Sequence, residues 1–362
     1  MEAIEIVNWR MRNLGLTGDP LESPEHVLRW LGLVQSQEFG LAKWSVAQRT
    51  HGVDDTTMKH LFNAGVILRA HFMRPTWHFV HRDDIHFFLR VTAPRVQVVN
   101  RHMYRRLELD AELLARCNEF IESALDGGHS MTRKEIGEIL AGKGIEACGQ
   151  RLAYILMNAE LGGVVCSGPI RGKQHTYALV RERAPEVPVP DSEEALADVI
   201  RRYITSHGPA TVHDCRSWSH LTLAEIRRCI EMLGSEVESF EHDGMTFWTA
   251  NDPPVAALEV PRVHLIQAYD EVFMGYLESR GLIDLAGRLT NLHPDNMVTN
   301  GLLLVNGQFA GNWKRALTSK SVRIELLHYD VLDDAKVRTI QREADRVGAF
   351  LGRELRLAFR RL

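Results

Sequence analysis

The run Val66-Ile67-Leu68-Arg69-Ala70-His71-Phe72-Met73-Arg74-Pro75-Thr76-Trp77-His78-Phe79-Val80 decides the fold. It reads as two strands paired around Arg74-Pro75. On the first strand Leu68, Ala70 and Phe72 face one way, and Arg69, His71 and Met73 the other. A short helix from Thr56 to Phe62 precedes the pair. An earlier helix opens at Ser23-Pro24, with Ser23 as N-cap and Pro24 in the first turn, where its missing N–H costs nothing. Helices followed by a β-hairpin spell a winged helix.

The same order recurs twice. A helix from Asp110 to Ala124, a second with Thr132 and Glu135 forming a capping box, and a third over about 146–159 lead into strands at Gly163 to Ser167 and Gln174 to Leu179. Beyond the proline-rich connector Ala184-Pro185-Glu186-Val187-Pro188-Val189-Pro190, helices open at Ser192, run through Trp218 and cover Thr222 to Leu233; Asp243-Gly244 then marks a hairpin. The pattern predicts one module of roughly 80 residues repeated three times. After Pro253-Pro254 the texture changes. Arg262 to Ile266 is strand-like, Asn306-Gly307 marks a hairpin, and Asp333 to Leu351 is a long charged helix. The expected fold is α+β, three tandem winged-helix modules with a C-terminal α+β module, divided as 1–105, 106–184, 191–252 and 255–362. The helix with Ile4, Val7, Met11 and Leu14 on one face docks at the front of the first module.

Gln35-Ser36-Gln37 leaves the Pro24 helix. Glutamines two residues apart lie about 200° apart on a helix but on one side of an extended segment, so a shared site needs extended or broken backbone here. Arg69, His71, Arg74, Trp77 and His78 are candidates to line a groove beside the pair. Arg171, Lys173 and His175 ride a loop able to reach a phosphate or a groove, and Lys314 and Arg315 follow the C-terminal hairpin. Each has a plainer reading. His71 and His78 also suit half-buried strand positions bonded to neighbours, the 168–175 loop a solvated turn, and 314–315 a solvated strand end. His78, His81 and His86 with Asp83 and Asp84 show no H-E-x-x-H or carboxylate-triad spacing, so no metal or other cofactor is expected.

The bulk properties bound the partners. At 362 residues the chain exceeds one ordinary core. Its net charge of −4 argues against a uniformly basic coat, so a nucleic-acid surface must be local. The five cysteines are widely spaced, with no C-x-x-C, which supports neither a disulfide framework nor a thiolate zinc site. Acids at Glu2 and Glu5 do not suit a signal peptide, and no apolar run is long enough to span a bilayer. A cytoplasmic protein is expected.

At these residues the sequence resembles the winged-helix DNA glycosylases of the AlkZ/YcaQ type. Gln35-Ser36-Gln37 has the form of the family's catalytic Gln-x-Gln signature, with Ser36 where an apolar residue is commoner. Arg74-Pro75-Thr76-Trp77-His78, His207-Gly208-Pro209-Ala210-Thr211-Val212 with Trp218, and Ala268-Tyr269-Asp270-Glu271 with Met274-Gly275-Tyr276 look like further landmarks, Pro75 standing where glycine is common. The resemblance implies a C-shaped arrangement around a DNA channel, Gln35 and Gln37 as catalytic residues, and removal of alkylated purines, particularly N7-alkylguanine. In some members it implies the unhooking of interstrand crosslinks, and the Gln-x-Gln branch includes enzymes of genotoxin self-resistance.

Glutamine cannot act as a base at neutral pH, but it both donates and accepts hydrogen bonds. An N7-alkylated guanine is already cationic, so its N-glycosidic bond breaks without protonation of the leaving base. What remains is to stabilise an oxocarbenium-like sugar and to place a water beneath C1′. Glu38, Asp270 and Glu271 are the acids a carboxylate mechanism would use. The expected partner is double-stranded DNA bearing alkylated purines, acted on by a monomer. Two other readings stay open: a winged-helix transcriptional regulator, disfavoured because the helix at 146–159 holds only Arg151 as a cation, and a non-catalytic adduct-binding protein.

Overall fold

The structure is a computed structural model that describes residues 1–188, 192–252, 262–289 and 301–362. The Val189-Pro190 end of the connector and the Pro253-Pro254 boundary lie outside the described residues.

In chain order, α1 (Ala3–Asn13) buries Ile6, Val7 and Met11. α2 (Pro24–Leu31) starts under Ser23, whose hydroxyl accepts from the His26 N–H at 3.1 Å, and stops at Gly32 with φ +78°. β1 (Val34–Gln35), α3 (Phe39–Ala47) and α4 (Asp55–Asn63) follow. β2 (Ile67–His71) and β3 (Trp77–His81) form the expected hairpin, His71 opposite Trp77, with Arg74 at φ +54° in the turn. α5 (Ile85–Arg106) runs through Pro94. Next come α6 (Ala111–Leu125), β4 (Met131–Thr132), α7 (Arg133–Gly142), α8 (Gly149–Leu161), β5 (Val165–Ser167), β6 (Thr176–Leu179) and α9 (Val180–Arg183). The Thr132–Glu135 capping box is present. They are followed by α10 (Ser192–His207), α11 (Val212–Ser219), α12 (Leu223–Leu233), β7 (Glu238–His242) and β8 (Met245–Thr249), the last two joined at Asp243-Gly244. The C-terminal part holds β9 (Val263–Ile266), α13 (Glu271–Met274), β10 (Gly301–Val305), β11 (Gln308–Leu317), β12 (Ser321–His328), α14 (Asp334–Leu351) and β13 (Glu354–Arg361).

These elements form two compact units, 1–58 with 197–362, and 59–196. In the 59–196 unit β4, β6 and β5 make a small sheet against α6, α7 and α8, whose Cys117, Ile121, Ile136, Leu140 and Ile155 share a core. In the other unit β9 to β13 form one sheet in sequence order, antiparallel except for the parallel β12–β13 pair. A parallel pair needs a crossover, and α14 is that crossover. It packs on β9, β12, β13 and α3.

α1 is fastened to residues 208–209 and to the stretch around Tyr276 and Ser279 by side chains rather than by its apolar stripe alone. Arg10 donates to the Pro209 carbonyl at 2.7 Å and to the Ser279 hydroxyl at 2.6 Å, and its guanidinium lies 3.9 Å from the Tyr276 ring centroid. Asn13 donates to the Gly208 carbonyl at 2.7 Å.

Candidate active site

The backbone at the glutamines is extended at Val34–Gln35 and then turns into α3. Gln35 is 2% exposed and Ser36 is buried, whereas Gln37 and Glu38 are exposed. Gln37 therefore presents its amide to solvent just ahead of the helix N-terminus, where the N-cap Glu38 makes no side-chain cap bond.

What holds this segment is the end of β9 and the residue that follows it. Gln267 Nε2 donates to the Gln35 carbonyl at 3.1 Å. The Trp44 indole donates to the Leu265 carbonyl at 2.7 Å and the Trp313 indole to that of Ile266 at 2.8 Å. Three consecutive residues are thus tied to β1, α3 and β11. The far end of α3 is fixed by a buried ion pair, Arg49 Nη2 to Asp270 Oδ1 at 2.7 Å and Nη1 to Oδ2 at 3.0 Å. Ser45 adds a bond to Asp270 Oδ2 at 2.6 Å, and Arg49 Nε reaches the Leu14 carbonyl at 2.7 Å. Burial alone would raise the Asp270 pKa; the Arg49 charge and the bonds from Arg49 and Ser45 outweigh it and hold the group below the ordinary carboxylate range.

The neighbouring landmarks are bound into the same framework. Glu271 accepts from the Trp218 indole at 2.9 Å and lies 3.2 Å from His207 Nε2. Tyr203 donates to the Gly275 carbonyl at 2.7 Å, and Tyr276 to that of His207 at 2.6 Å. A Cβ on Gly275 would stand 2.7 Å from the His207 ring and 2.6 Å from the Glu271 carbonyl, which leaves room for hydrogen only. Asp270 and Glu271 are committed to structure, and Glu38 is the exposed carboxylate beside Gln37.

The C-terminal strand β11 also reaches this turn. A Cβ on Gly40 would lie 2.6 Å from Arg315 Nη2, so the guanidinium rests against the first turn of α3. Burial lowers the Arg315 pKa, with the charges of Asp55 and Glu38 opposing, and an arginine so placed stays a cation at neutral pH. Tyr269 also feels Glu38; burial first, then that charge, raises its pKa and keeps the phenol a neutral donor. Lys314 is exposed.

In the 59–196 unit, one carboxylate organises the hairpin. Glu160 of α8, 1% exposed, pairs with His71 Nδ1, accepts from the His71 N–H at 3.0 Å and from the Trp77 indole at 3.3 Å. The Arg69 guanidinium sits 4.3 Å from the Trp77 ring centroid. Arg69, His71 and His78 are buried, while Arg74 and Trp77 keep partial exposure. Burial, then the Arg74 charge, pushes the His78 pKa well below its usual value, so this imidazole is neutral, with Nδ1 3.0 Å from the Thr76 carbonyl. On the β5–β6 loop, Arg171 pairs with Glu135 at 2.7 Å and donates to the Ser130 carbonyl at 2.6 Å. Lys173 is exposed, and His175 meets Phe62 edge-on at 6.3 Å.

Sequence reasoning missed Gln267 and Glu160. Gln267 directly precedes the Ala268-Tyr269-Asp270-Glu271 landmark, and Glu160 is the one acid in the apolar run of α8. Those were the available signals.

Hairpins following helices, and a terminal mixed sheet, define a protein of mixed helix and strand consistent with tandem winged helices. A family model, DNA glycosylase AlkZ-like, matches residues 28–350, and the chain belongs to the AlkZ-like DNA glycosylase family. It is similar to an interstrand DNA cross-link repair glycosylase of Streptomyces sahachiroi, 22% identical over 284 residues, 75% of this chain and 76% of that protein. The solved DNA glycosylase AlkZ of Streptomyces sahachiroi superposes with a TM-score of 0.80 at 19% identity, covering 100% of both chains, which bears on the fold alone.

Proposed function

We propose that this chain is a monofunctional DNA glycosylase that hydrolyses the N-glycosidic bond of cationic N7-alkylated purines, bulky adducts and crosslinks among them, in DNA repair or genotoxin self-resistance. The observation that carries the reading is the division of labour in Gln35-Ser36-Gln37. Gln37 is exposed and suited to position a water, while Gln35 is buried, its backbone held by Gln267, and suited to hold the sugar or support Gln37. The substrate's own charge supplies the leaving-group activation, so orientation and electrostatics suffice. The enzyme acts as a monomer on duplex DNA, and the module division 1–105, 106–184, 191–252 and 255–362 belongs to the same proposal.

Arg69, His71, Arg74, Trp77, His78, Arg171, Lys173, His175, Lys314 and Arg315 are the proposed DNA-binding set. The exposed members act directly, and the buried ones shape the hairpin that carries Arg74 and Trp77.

Single-turnover release of 7-methylguanine from alkylated duplex tests this. Gln37→Ala should lower the rate by about 10²- to 10³-fold, the scale of losing one positioned polar group, with DNA affinity retained. Glu38→Gln should leave release within a few fold. Collapse in Glu38→Gln with activity persisting in Gln37→Ala would transfer the chemistry to the carboxylate.

A further inference from the structure

α5 carries Arg90, Arg95, Arg101, Arg105 and Arg106, and no carboxylate interrupts the chain between Asp84 and Glu108. The concentration is set in a chain whose net charge is −4. One side of the helix is occupied: Ala93 and Val96 pack with Met157 and Leu161 of α8, and Asn100 Nδ2 reaches Met157 Sδ at 3.1 Å. The other side is open from Pro94 onward. Arg101, His102, Arg105 and Arg106 are exposed, as are Val98 at 53% and Val99 at 56%. Arg101, Arg105 and Arg106 make no ion pair among the described residues. Arg105 and Arg106 in the last turn suit the helix dipole, but like charges four residues apart, as at Arg101 and Arg105, weaken a helix, so folding accounts for the cluster only in part.

We propose that the open face of α5 is a sequence-independent binding surface for the backbone of duplex DNA, with Arg101, Arg105 and Arg106 on the phosphates. The choice of DNA over another polyanion rests on the glycosylase reading above. Length fits the ligand: Pro94 to Arg106 spans about 18 Å of helix at 1.5 Å per residue, and a strand of B-DNA advances about 3.4 Å per phosphate. The guanidiniums suit phosphate oxygens, and Val98 and Val99 between them suit the apolar faces of deoxyriboses. Glu108 and Asp110 close the far end, where with Arg101, Tyr104 and Arg105 they line a concavity of about 550 Å³.

The test is the salt dependence of binding to an undamaged duplex of two or more helical turns, by fluorescence anisotropy, for the wild type, R101Q/R105Q/R106Q and R101K/R105K/R106K. Counterion release contributes about 0.9 to the slope of log K on log salt per neutralised phosphate, so the glutamine variant should lose about 2.7 from it. The lysine variant should keep the wild-type slope, because the slope counts charges. An unchanged slope in the glutamine variant overturns the proposal and is the outcome expected if the face serves an acidic protein instead. Wild-type release of 7-methylguanine, measured alongside, separates the two readings. A slope loss without any base release leaves the surface standing and removes the glycosylase; release with an unchanged slope does the reverse.

Discussion

Arg49 is buried and commits Nε, Nη1 and Nη2 to Leu14, Ser45 and Asp270, which makes Asp270 the residue on which the geometry of α3 depends. Asp270→Ala would strand a buried guanidinium, and removing one member of such a pair costs about 3–5 kcal/mol. Urea unfolding should show that loss, together with loss of base release in proportion to the unfolded fraction. His264 makes a different demand. Burial pushes its pKa down to about 4, with Nε2 2.9 Å from the Leu16 carbonyl, whereas in the unfolded chain it titrates near 6.5. Above about pH 6.5 the ring is neutral in both states. Below it the unfolded chain takes up a proton that the folded one refuses, so stability falls as pH drops toward 4, by on the order of 3 kcal/mol. His264→Gln should flatten that part of the stability–pH curve, and an unaltered slope would assign it to other groups.

At the scale of elements, the two close glycines predict opposite outcomes. Gly275→Ala drives a methyl into the His207 ring and the Glu271 carbonyl. Overpacking of this kind costs roughly 1–3 kcal/mol or more, and thermal melting should show it. Gly40→Ala meets only the far end of Arg315, and alanine favours the helix by about 1 kcal/mol, so stability should hold while the displaced guanidinium weakens DNA binding. Equal affinity in Gly40→Ala would remove Arg315 from the DNA-binding set.

The elements were largely legible because their signals are local: the Ser23 and Thr132 caps, Asp243-Gly244, Asn306-Gly307, and the extended backbone at Gln35. Alternation along β2 was read as one apolar and one polar side, yet Ile67 to His71 are all buried. Glu160, some 90 positions away in sequence, covers the polar side by bonding to it, and no periodicity within a strand can announce a distant partner. β13 was missed for a similar reason, since its parallel neighbour β12 lies across the whole of α14. At the site, the glutamines were visible as a motif, while Gln267 and the Arg49–Asp270 pair emerge only when residues more than 200 positions apart meet.

At the scale of the whole molecule, the unit holding Gln35 and Gln37 is assembled from both ends of the chain. Arg10, Asn13, Trp44 and Arg49 anchor the first 58 residues to the 197–362 segment. A protease cut in the exposed Pro185-Glu186-Val187-Pro188 stretch should therefore leave two fragments that still elute together on gel filtration. Fragments that separate in native buffer would show that these anchors do not hold the unit.

The same discontinuity sets an order of events on the ribosome. The stretch with the two glutamines emerges first, but its binding strands are translated last, so at roughly 5–20 residues per second it waits on the order of half a minute for them. Residues 59–196 are contiguous and can fold meanwhile. Val7, Trp44 and the neighbouring apolar side chains, covered in the folded protein by Gly307 and Phe350, wait exposed over that interval, which makes this nascent stretch a natural client for a chaperone.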